Sequence, residues 1–298
     1  MKQRGITLIE LLVTVTITGF LGAGVYRTFV GQQHTYEVQD QVVDLQQNVR
    51  MAINQLVRDI RMAGFGRVDS KTFGVDGMHG NYKSIISPAN DGKGLTVIAG
   101  YQEMTTLDDH GGAKDGPGID AKYLNDIGAY KIKLKDASGF SDKGGKRYIC
   151  INGTESHRIQ NITGNVVEFY TDAKDDGRLL EQHYAGEPVF IVKALTYSLG
   201  MFEGKMCLLK DEHLGEGPLP VAENIEDIQF RYTLREDDGS LAVYENVPNN
   251  KCDKIRMVQV RIVAMTDPQR PDPEMKVGDG CRRRVLTSEI QLRNLISL

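Results

Sequence analysis

Several features are missing from this chain of 298 residues, and each absence excludes a class of protein. Lys and Arg number 36 against 40 Asp and Glu, so no surplus of positive charge is available to attract nucleic acid. A mean hydropathy of -0.33 excludes a protein with many membrane spans but is compatible with a single span. Tryptophan is absent while glycine occurs 32 times, which indicates a loop-rich body without bulky aromatic anchors. With 40% apolar and 26% charged residues, the chain is neither disordered nor fibrous.

The short motifs of common enzymes and metal sites are also missing. There is no CxxC pair, which argues against a thiol oxidoreductase or a zinc knuckle, and no HExxH, GxSxG or phosphate-binding loop is present. The six histidines are His34, His79, His110, His157, His183 and His213. None neighbours another, so we expect them on the surface or in single hydrogen bonds. We therefore expect no enzyme, no cofactor and no metal site.

The N-terminus carries one long apolar segment behind a small basic head. Lys2 and Arg4 precede residues 6–26, in which Glu10 is the only charged residue. A helix needs roughly 20 apolar residues to cross a bilayer, so this segment is long enough. The positive head is expected to stay on the cytoplasmic side, which would export the rest of the chain.

Glu10 decides between three interpretations of this segment. A simple membrane anchor, or a secretory signal cleaved near the small residues 21–24, would gain by losing a carboxylate that costs about 2.5–3.5 kcal/mol in lipid. An ionisable residue inside a membrane helix is expected to have a partner. A cut after Gly5 would create such a partner, because the new amine of Ile6 on one subunit could neutralise Glu10 of its neighbour.

The stretch Arg4-Gly-Ile-Thr-Leu-Ile-Glu-Leu-Leu-Val13 resembles the leader and first helical turns of type IV pilins and type II secretion pseudopilins. The resemblance implies that a prepilin peptidase cuts after Gly5 and methylates the new N-terminus at Ile6. It also implies that Glu10 makes the contact between subunits during assembly. One departure is that the family usually has Phe after the cut, where this chain has Ile6.

An amphipathic helix is predicted to follow the apolar segment. Residues 30–63 contain no proline, and their apolar residues recur at gaps of three and four. The stripe consists of Val42, Leu45, Val49, Ala52, Leu56, Ile60 and Ala63. Gly64-Phe-Gly66 supplies a stop, so a continuous helix over 6–63 would be about 87 Å long. A parallel coiled coil is the alternative, but no sustained e/g charge pattern accompanies the stripe, which favours packing on the chain's own sheet.

Glycines interrupt the later part of the membrane segment at Gly19, Gly22 and Gly24, after the β-branched run 14–18. Both features weaken a helix. Local loss of helicity in an assembled filament and close helix–helix contact through small residues both stay open.

After Gly66 the helical spacing of apolar residues ends, and short apolar runs separated by turns follow. This pattern predicts a mainly antiparallel sheet. The candidate strands are 95–99, 147–151, 166–170, 188–197, 225–232, 255–263 and 283–292. In 255–263 the alternation changes phase, since Arg256 falls on the same face as Val258. The Gly- and Asp-rich stretch 102–145 is expected to be a surface insertion with one short strand near 130–134.

Four cysteines, Cys150, Cys207, Cys252 and Cys281, lie in the part expected to be exported, where disulfides persist. Four cysteines allow three pairings, and the sequence does not choose among them. Cys252 and Cys281 each precede a C-terminal strand, which weakly favours that pair with Cys150–Cys207 as the other.

The predicted fold is α+β and pilin-like, with a long N-terminal helix packed on a mainly antiparallel sheet. The predicted divisions are a leader at 1–5, a transmembrane or filament-core helix at 6–30, an amphipathic helix at 31–66 and an exported head at 67–298. The helix end 46–65 and the stretches 221–232 and 284–294 resemble PilW-type minor pilins. The stretch 221–232 also resembles GspJ pseudopilins, but the greater length of this chain favours the pilus system.

These resemblances imply a minor pilin that takes part in type IV pilus assembly, in a priming or tip complex. The implied partners are the prepilin peptidase, other minor and major pilins, the inner-membrane assembly machinery and the membrane, but not nucleic acid. The implied location is the bacterial inner membrane, with the head in the periplasm, and later the pilus surface. The alternatives are a type II secretion pseudopilin and a tip adhesin or ligand-binding module formed by 102–145.

Overall fold

The structure is a computed structural model that describes residues 7–67, 78, 82–108, 129–172, 175–272, 275 and 278–294. A single long helix, α1, spans Leu8–Arg61 and is about 81 Å long at 1.5 Å per residue. It runs unbroken through Gly19, Gly22 and Gly24, where no described atom outside the neighbouring helix backbone lies within 4 Å of the site a Cβ would occupy. The predicted helix is confirmed, and it ends two residues before the predicted Ala63.

The end of α1 depends on two glycines. Gly64 and Gly66 have φ angles of 75° and 95°, in the left-handed region that other residues rarely adopt. A Cβ on Gly66 would also lie 2.6 Å from Sγ of Cys150, so no larger residue fits. Beyond the helix, the Gly64 N–H donates to the Ile98 carbonyl, and the chain enters the sheet region.

The chain divides into two compact units, each described by itself. The first comprises Met1–Gln47 and Met265–Arg283. In its helical part the large apolar side chains from Leu8 to Val30 are exposed, whereas Leu45 is buried. In its second segment Arg282 donates two hydrogen bonds, of 2.9 and 2.7 Å, to one carboxylate oxygen of the buried Asp272.

The second unit, Asn48–Ala264 and Arg284–Leu298, contains a nine-stranded antiparallel sheet. Its strands are β1 (Ile86–Pro88), β2 (Leu95–Thr106), β3 (Lys131–Lys133), β4 (Tyr148–Ile151), β5 (Glu155–Thr163), β6 (Val166–Phe169), β9 (Pro188–Phe202), β10 (Lys205–Asp211) and β11 (Leu219–Glu223). The order is β1-β2-β9-β4-β5-β6-β3, and β10 pairs with β9 and β11. The long β9 pairs with β2 along one side and with β4 and then β10 along the other.

A four-stranded sheet of order β13-β12-β14-β15 follows. Its strands are β12 (Ile225–Arg235), β13 (Leu241–Tyr244), β14 (Ile255–Met265) and β15 (Arg283–Gln291), and β7 (Thr171–Asp172) forms a separate pair with β8 (Asp175–Asp176). The register between β12 and β14 shifts by one residue at Arg256. This bulge explains the phase change in the sequence, because it lets both Ile255 and Val258 face the core.

The core of the second unit takes up the predicted stripe of α1. Val49, Ala52, Leu56 and Ile60 are fully buried, which confirms packing on the chain's own sheet rather than a coiled coil. One core cluster comprises Met78, Ile98, Tyr148, Cys150, Val192 and Ala194. A larger cluster fills the space around β3, β4, β5 and β6, with Ile132, Ile149, Ile159 and Phe169 among its members.

All seven predicted strands are present in the structure, but the predicted insertion at 102–145 needs correction. Residues 102–106 belong to β2, because its pairing with β9 continues to Thr106 opposite Pro188. The short strand predicted near 130–134 is β3. Residues 109–128 lie outside the described part of the chain.

Candidate functional site

The start of α1 is closed by a reciprocal pair of polar residues. Thr7 is the last residue before the helix, and its Oγ1 accepts a hydrogen bond of 3.3 Å from the Glu10 N–H. In return, the Thr7 N–H and hydroxyl each donate to Oε2 of Glu10 at 3.2 Å. This is a capping box, in which the carboxylate also lies favourably at the positive end of the helix dipole.

Glu10 has no basic partner among the described residues. Its side chain is exposed, and among the described residues its carboxylate contacts only Thr7. Gly5 and Ile6, the residues predicted for cleavage and methylation, lie outside the described residues. The structure therefore shows a carboxylate that is held at the first turn and is open to a partner from outside the chain.

The helix surface around Glu10 is suited to an apolar environment. α1 is long and apolar enough to cross a membrane, and its most apolar stretch is not buried within the chain. The hydroxyls of Thr14, Thr16 and Thr18 donate to carbonyls four residues earlier, at 2.7–2.8 Å. These polar groups are therefore satisfied within the helix, so Glu10 is the group in this stretch that most needs an external partner.

A second polar centre lies at the other end of α1, in the second unit. The Asp59 carboxylate is buried, and Oδ2 accepts hydrogen bonds from the Tyr197 hydroxyl at 2.5 Å and from Gln55 at 2.9 Å. The Tyr101 hydroxyl donates to the Asp59 carbonyl at 3.0 Å, and Lys210 lies 3.4 Å from Oδ2. Burial, reinforced by the Asp59 charge, raises the pKa of both tyrosines, so both hydroxyls remain donors to Asp59. This network holds the end of α1 on β2, β9 and β10.

The histidine prediction is wrong for His183, whose ring is hydrogen-bonded through both nitrogens. His157 and His183 are both buried, and each contacts the carboxylate of Glu155, at 2.9 and 2.6 Å. His183 also contacts Glu187 at 2.7 Å. No group of His, Cys, Asp and Glu in the described ranges has the geometry to hold a metal ion.

The predicted disulfides are wrong, since none of the four cysteines forms one and all four are buried. Cys150 lies opposite Phe190 and Cys207 opposite Gly200, ten positions apart along β9. At about 3.3 Å per residue this places the two cysteines roughly 30 Å apart, against less than about 7 Å for a disulfide. Burial raises the pKa of the Cys150 thiol to about 11, so it is unreactive at neutral pH.

An open cleft of about 800 Å³ lies in the second unit, beside the ends of β2 and β9. Its lining includes the hydroxyl-bearing residues Tyr82, Thr96 and Thr196 and the apolar residues Leu95 and Met201. Thr196 Oγ1 lies 2.8 Å from both Thr96 Oγ1 and His213 Nε2, so its hydrogen bonds are used within the protein. The cleft has the volume of a small-molecule site.

Comparison with known proteins bears on the N-terminal segment. Residues 1–26 match the family model described as the prokaryotic N-terminal methylation motif. The segment therefore carries the N-terminal methylation motif of prepilins. Together with the exposed apolar helix, it indicates a pilin-like protein that is anchored in a membrane.

The remaining comparisons add little to this result. A type IV-like pilin from Thermus thermophilus aligns with 12% identity over 85% of this chain and 98% of that chain, at a TM-score of 0.32. A score this low does not establish a common fold, so the α+β assignment comes from α1 and the antiparallel sheets of this chain. Comparison with curated proteins gives no significant match.

Proposed function

We propose that this prepilin is a minor pilin of the PilW type with a structural rather than a catalytic role. A prepilin peptidase cuts it after Gly5 and methylates Ile6. It then joins other minor and major pilins at the inner-membrane assembly machinery, in a complex that primes filament growth and becomes the tip. Its head is in the periplasm first and on the pilus surface later.

The observation that carries the assembly role in this proposal is the state of Glu10. Its carboxylate lies in an apolar stretch whose threonine hydroxyls are already satisfied, and Thr7 is its contact within the described chain. In lipid, an unpaired carboxylate costs about 2.5–3.5 kcal/mol, which a cation on a neighbouring subunit would offset. The amine that cleavage creates on Ile6 is such a cation.

The mechanism follows from this energy balance. Apolar contacts between helices are non-directional, so they hold subunits together without fixing how far each has slid along its neighbour. Pairing of Glu10 with an amine is favourable at one axial position only. Glu10 therefore sets the register of the subunit in the complex, while the apolar surface of α1 supplies the adhesion.

Glu10→Leu tests the proposal in a strain that lacks the natural gene. The variant is expected to insert into the membrane as well as the natural protein, yet to restore few or no pili and to co-purify poorly with other pilins. Glu10→Gln, which keeps the capping contacts but lacks the charge, is expected to fail in the same way. Glu37→Leu removes an exposed carboxylate further along the same helix and is the matched control, expected to assemble normally. Full piliation with Glu10→Leu would contradict the proposal.

A type II secretion pseudopilin is the second candidate, because the leader and Glu10 serve both systems equally. The genes beside this one separate the two candidates. Pilus motor and alignment genes would support the minor pilin, and secretin-dependent exoprotein genes would support the pseudopilin.

A ligand-binding module at a pilus tip is the third candidate, and the 800 Å³ cleft is the observation that favours it. Met201→Arg would fill the cleft from an exposed position. Loss of host-surface or glycan binding in that variant, with piliation unchanged, would support this candidate.

A further inference from the structure

The chain between β8 and β9 is attached to three parts of the head. The Gly177 N–H donates to the Tyr170 carbonyl, and the Leu179 N–H donates to the carbonyl of Ala129 at 2.7 Å. At the other end, Gly186 and Glu187 exchange backbone hydrogen bonds of 2.9 Å with Leu107. We call residues 179–187 the clamp segment. It is thus hydrogen-bonded to Leu107 and Ala129, the two residues that flank 108–128.

His183 lies at the centre of the clamp segment, and its ring has an acceptor at each nitrogen. Nε2 is 2.6 Å from Oε1 of Glu155, and Nδ1 is 2.7 Å from Oε2 of Glu187. A neutral imidazole carries one N–H, so one carboxylate would then face a lone pair at hydrogen-bonding distance. Both contacts are favourable only when the ring is the imidazolium ion, which donates from both nitrogens.

The surroundings of His183 depend on this positive charge. Glu155, at the start of β5, is buried and also contacts Nε2 of His157 at 2.9 Å. Its carboxylate accepts the backbone N–H groups of Leu180 at 2.9 Å and Glu181 at 3.3 Å. The titratable groups that face His183 are thus Glu155 from β5, with His157 behind it, and Glu187 from the clamp segment itself. A buried carboxylate without a cation would be strongly unfavourable.

We propose that His183 is a proton-operated latch, whose imidazolium ties Glu187 to Glu155 and so fastens the clamp segment to β5. Loss of one proton breaks one of the two charged hydrogen bonds. It also leaves a negative charge facing a ring lone pair inside the head. The clamp segment then opens locally, while the remaining core, built on apolar contacts, stays folded.

The direction of the pH response follows from the charges. Burial opposes the charged form of His183, but the hydrogen bonds that the ring donates to Glu155 and Glu187 outweigh it and raise the pKa above the ordinary 6.5. Burial likewise opposes ionisation of Glu155, yet the hydrogen bonds from His157, His183 and Leu180 lower its pKa. The stabilisation from His183 is therefore complete below pH 6.5 and is lost as the pH rises through its raised pKa. The stabilisation from Glu155 is lost only in strong acid, so the latch opens on the alkaline side.

The direct test is the titration of the histidine rings in the full chain in detergent micelles, with ¹⁵N-labelled histidine. Signals are assigned by single His→Gln variants, and the ordinary imidazole pKa of 6.5 serves as the reference. His183 is expected to show two protonated ring nitrogens at pH 6.5 and to titrate with a midpoint above that value. A neutral His183 ring at pH 6.5, or a midpoint at or below 6.5, would overturn the proposal.

Hydrogen exchange provides the functional readout. Protection of the Leu180 and Glu181 amides, corrected for intrinsic exchange, is expected to fall as the pH passes the His183 midpoint and to be lost at every pH in His183→Gln. Because that variant leaves Glu155 poorly compensated, Glu187→Gln is the gentler second test. It is expected to lower the midpoint of His183 relative to the natural protein, because Glu187 is one of the groups that raise its pKa. Glu181→Gln makes the same charge change on an exposed residue of the clamp segment and is expected to leave the midpoint in place. An unchanged midpoint in Glu187→Gln would contradict the latch.

Discussion

The two ends of α1 share one secondary structure but have opposite surroundings. Near its start, large apolar side chains are exposed on every face, as Leu12 at 58% and Phe20 at 78% exposure illustrate. Near its end, only one stripe is apolar, and Leu56 and Ile60 of that stripe are fully buried. Each end also has one carboxylate whose partners distinguish it, Glu10 near the start and Asp59 near the end. Within the part of the chain that the structure describes, Glu10 contacts only Thr7, whereas Asp59 has Tyr197, Gln55 and Lys210 as partners.

The difference shows which end of the helix is complete within one chain. The last turns of α1 belong to a core in which Asp59 is paired with Tyr197 and Lys210 of the sheet. The first turns present an apolar surface and a carboxylate that need a membrane and a neighbouring subunit. Substitutions at the end should therefore change folding of the head, and substitutions at the start should change assembly.

Asp59→Ala should produce the largest effect, because it removes the acceptor shared by Tyr197, Gln55 and Lys210. We expect the free energy of unfolding of the head to fall by about 3–5 kcal/mol, the usual result when one partner of a buried charged pair is removed. Urea unfolding followed by tyrosine fluorescence measures this quantity. Asp44→Ala, at an exposed position of the same helix, is the control and should change it by less than about 0.5 kcal/mol.

Leu56→Ala and Leu12→Ala make the same chemical change at the two ends. Leu56→Ala should lower the stability of the head by about 2–5 kcal/mol, because it leaves a cavity in the core. Leu12→Ala should leave urea unfolding of the head unchanged and instead weaken co-purification with other pilins. Equal effects of both variants on head stability would remove the distinction between the two ends.

Thr7→Ala tests the capping box at the start of the helix. Loss of a capping side chain typically costs about 0.5–2 kcal/mol, which should appear as faster amide exchange in the first turn, around Leu8 to Leu11. Thr35→Ala removes a hydroxyl that bonds the Gly31 carbonyl within the helix, and it should not affect that turn. Unaltered exchange in Thr7→Ala would mean that Glu10 is not held by Thr7 in solution.

Treatment with a reducing agent should have the smallest effect on the stability of the head. Because none of the four cysteines is in a disulfide, a reducing agent should leave the unfolding free energy of the head unchanged, whereas breaking a disulfide would lower it by about 2–5 kcal/mol. Thiol titration of protein unfolded without reductant should find four reactive thiols per chain. Fewer than four would show that a disulfide forms after export.

Features set by nearby residues could be predicted from the sequence. The apolar run and the three-four stripe predicted α1, the glycine pair predicted its stop, and apolar β-branched runs predicted seven strands. β5 was missed because polar Ser156, His157, Arg158 and Gln160 interrupt its alternation. The insertion boundary was misplaced because pairing with β9 extends β2 through residues that look like a loop.

Features set by distant residues could not be predicted. Asp59 meets Tyr197 across 138 positions and Glu155 meets His183 across 28, and no local pattern marks either contact. The phase change at Arg256 was visible, but only the register with β12 identified it as a bulge. The predicted Cys150–Cys207 pair was wrong because the two cysteines lie opposite distant positions of β9. The sequence near each cysteine does not reveal those positions.

The intact mass of the membrane-extracted protein tests the central claim most directly, because every role given to Glu10 requires the amine that cleavage creates on Ile6. The account predicts a chain that has lost Met1 to Gly5 and gained one methyl group at its new N-terminus. A chain that still begins at Met1, or one trimmed near Ala23, would contradict it.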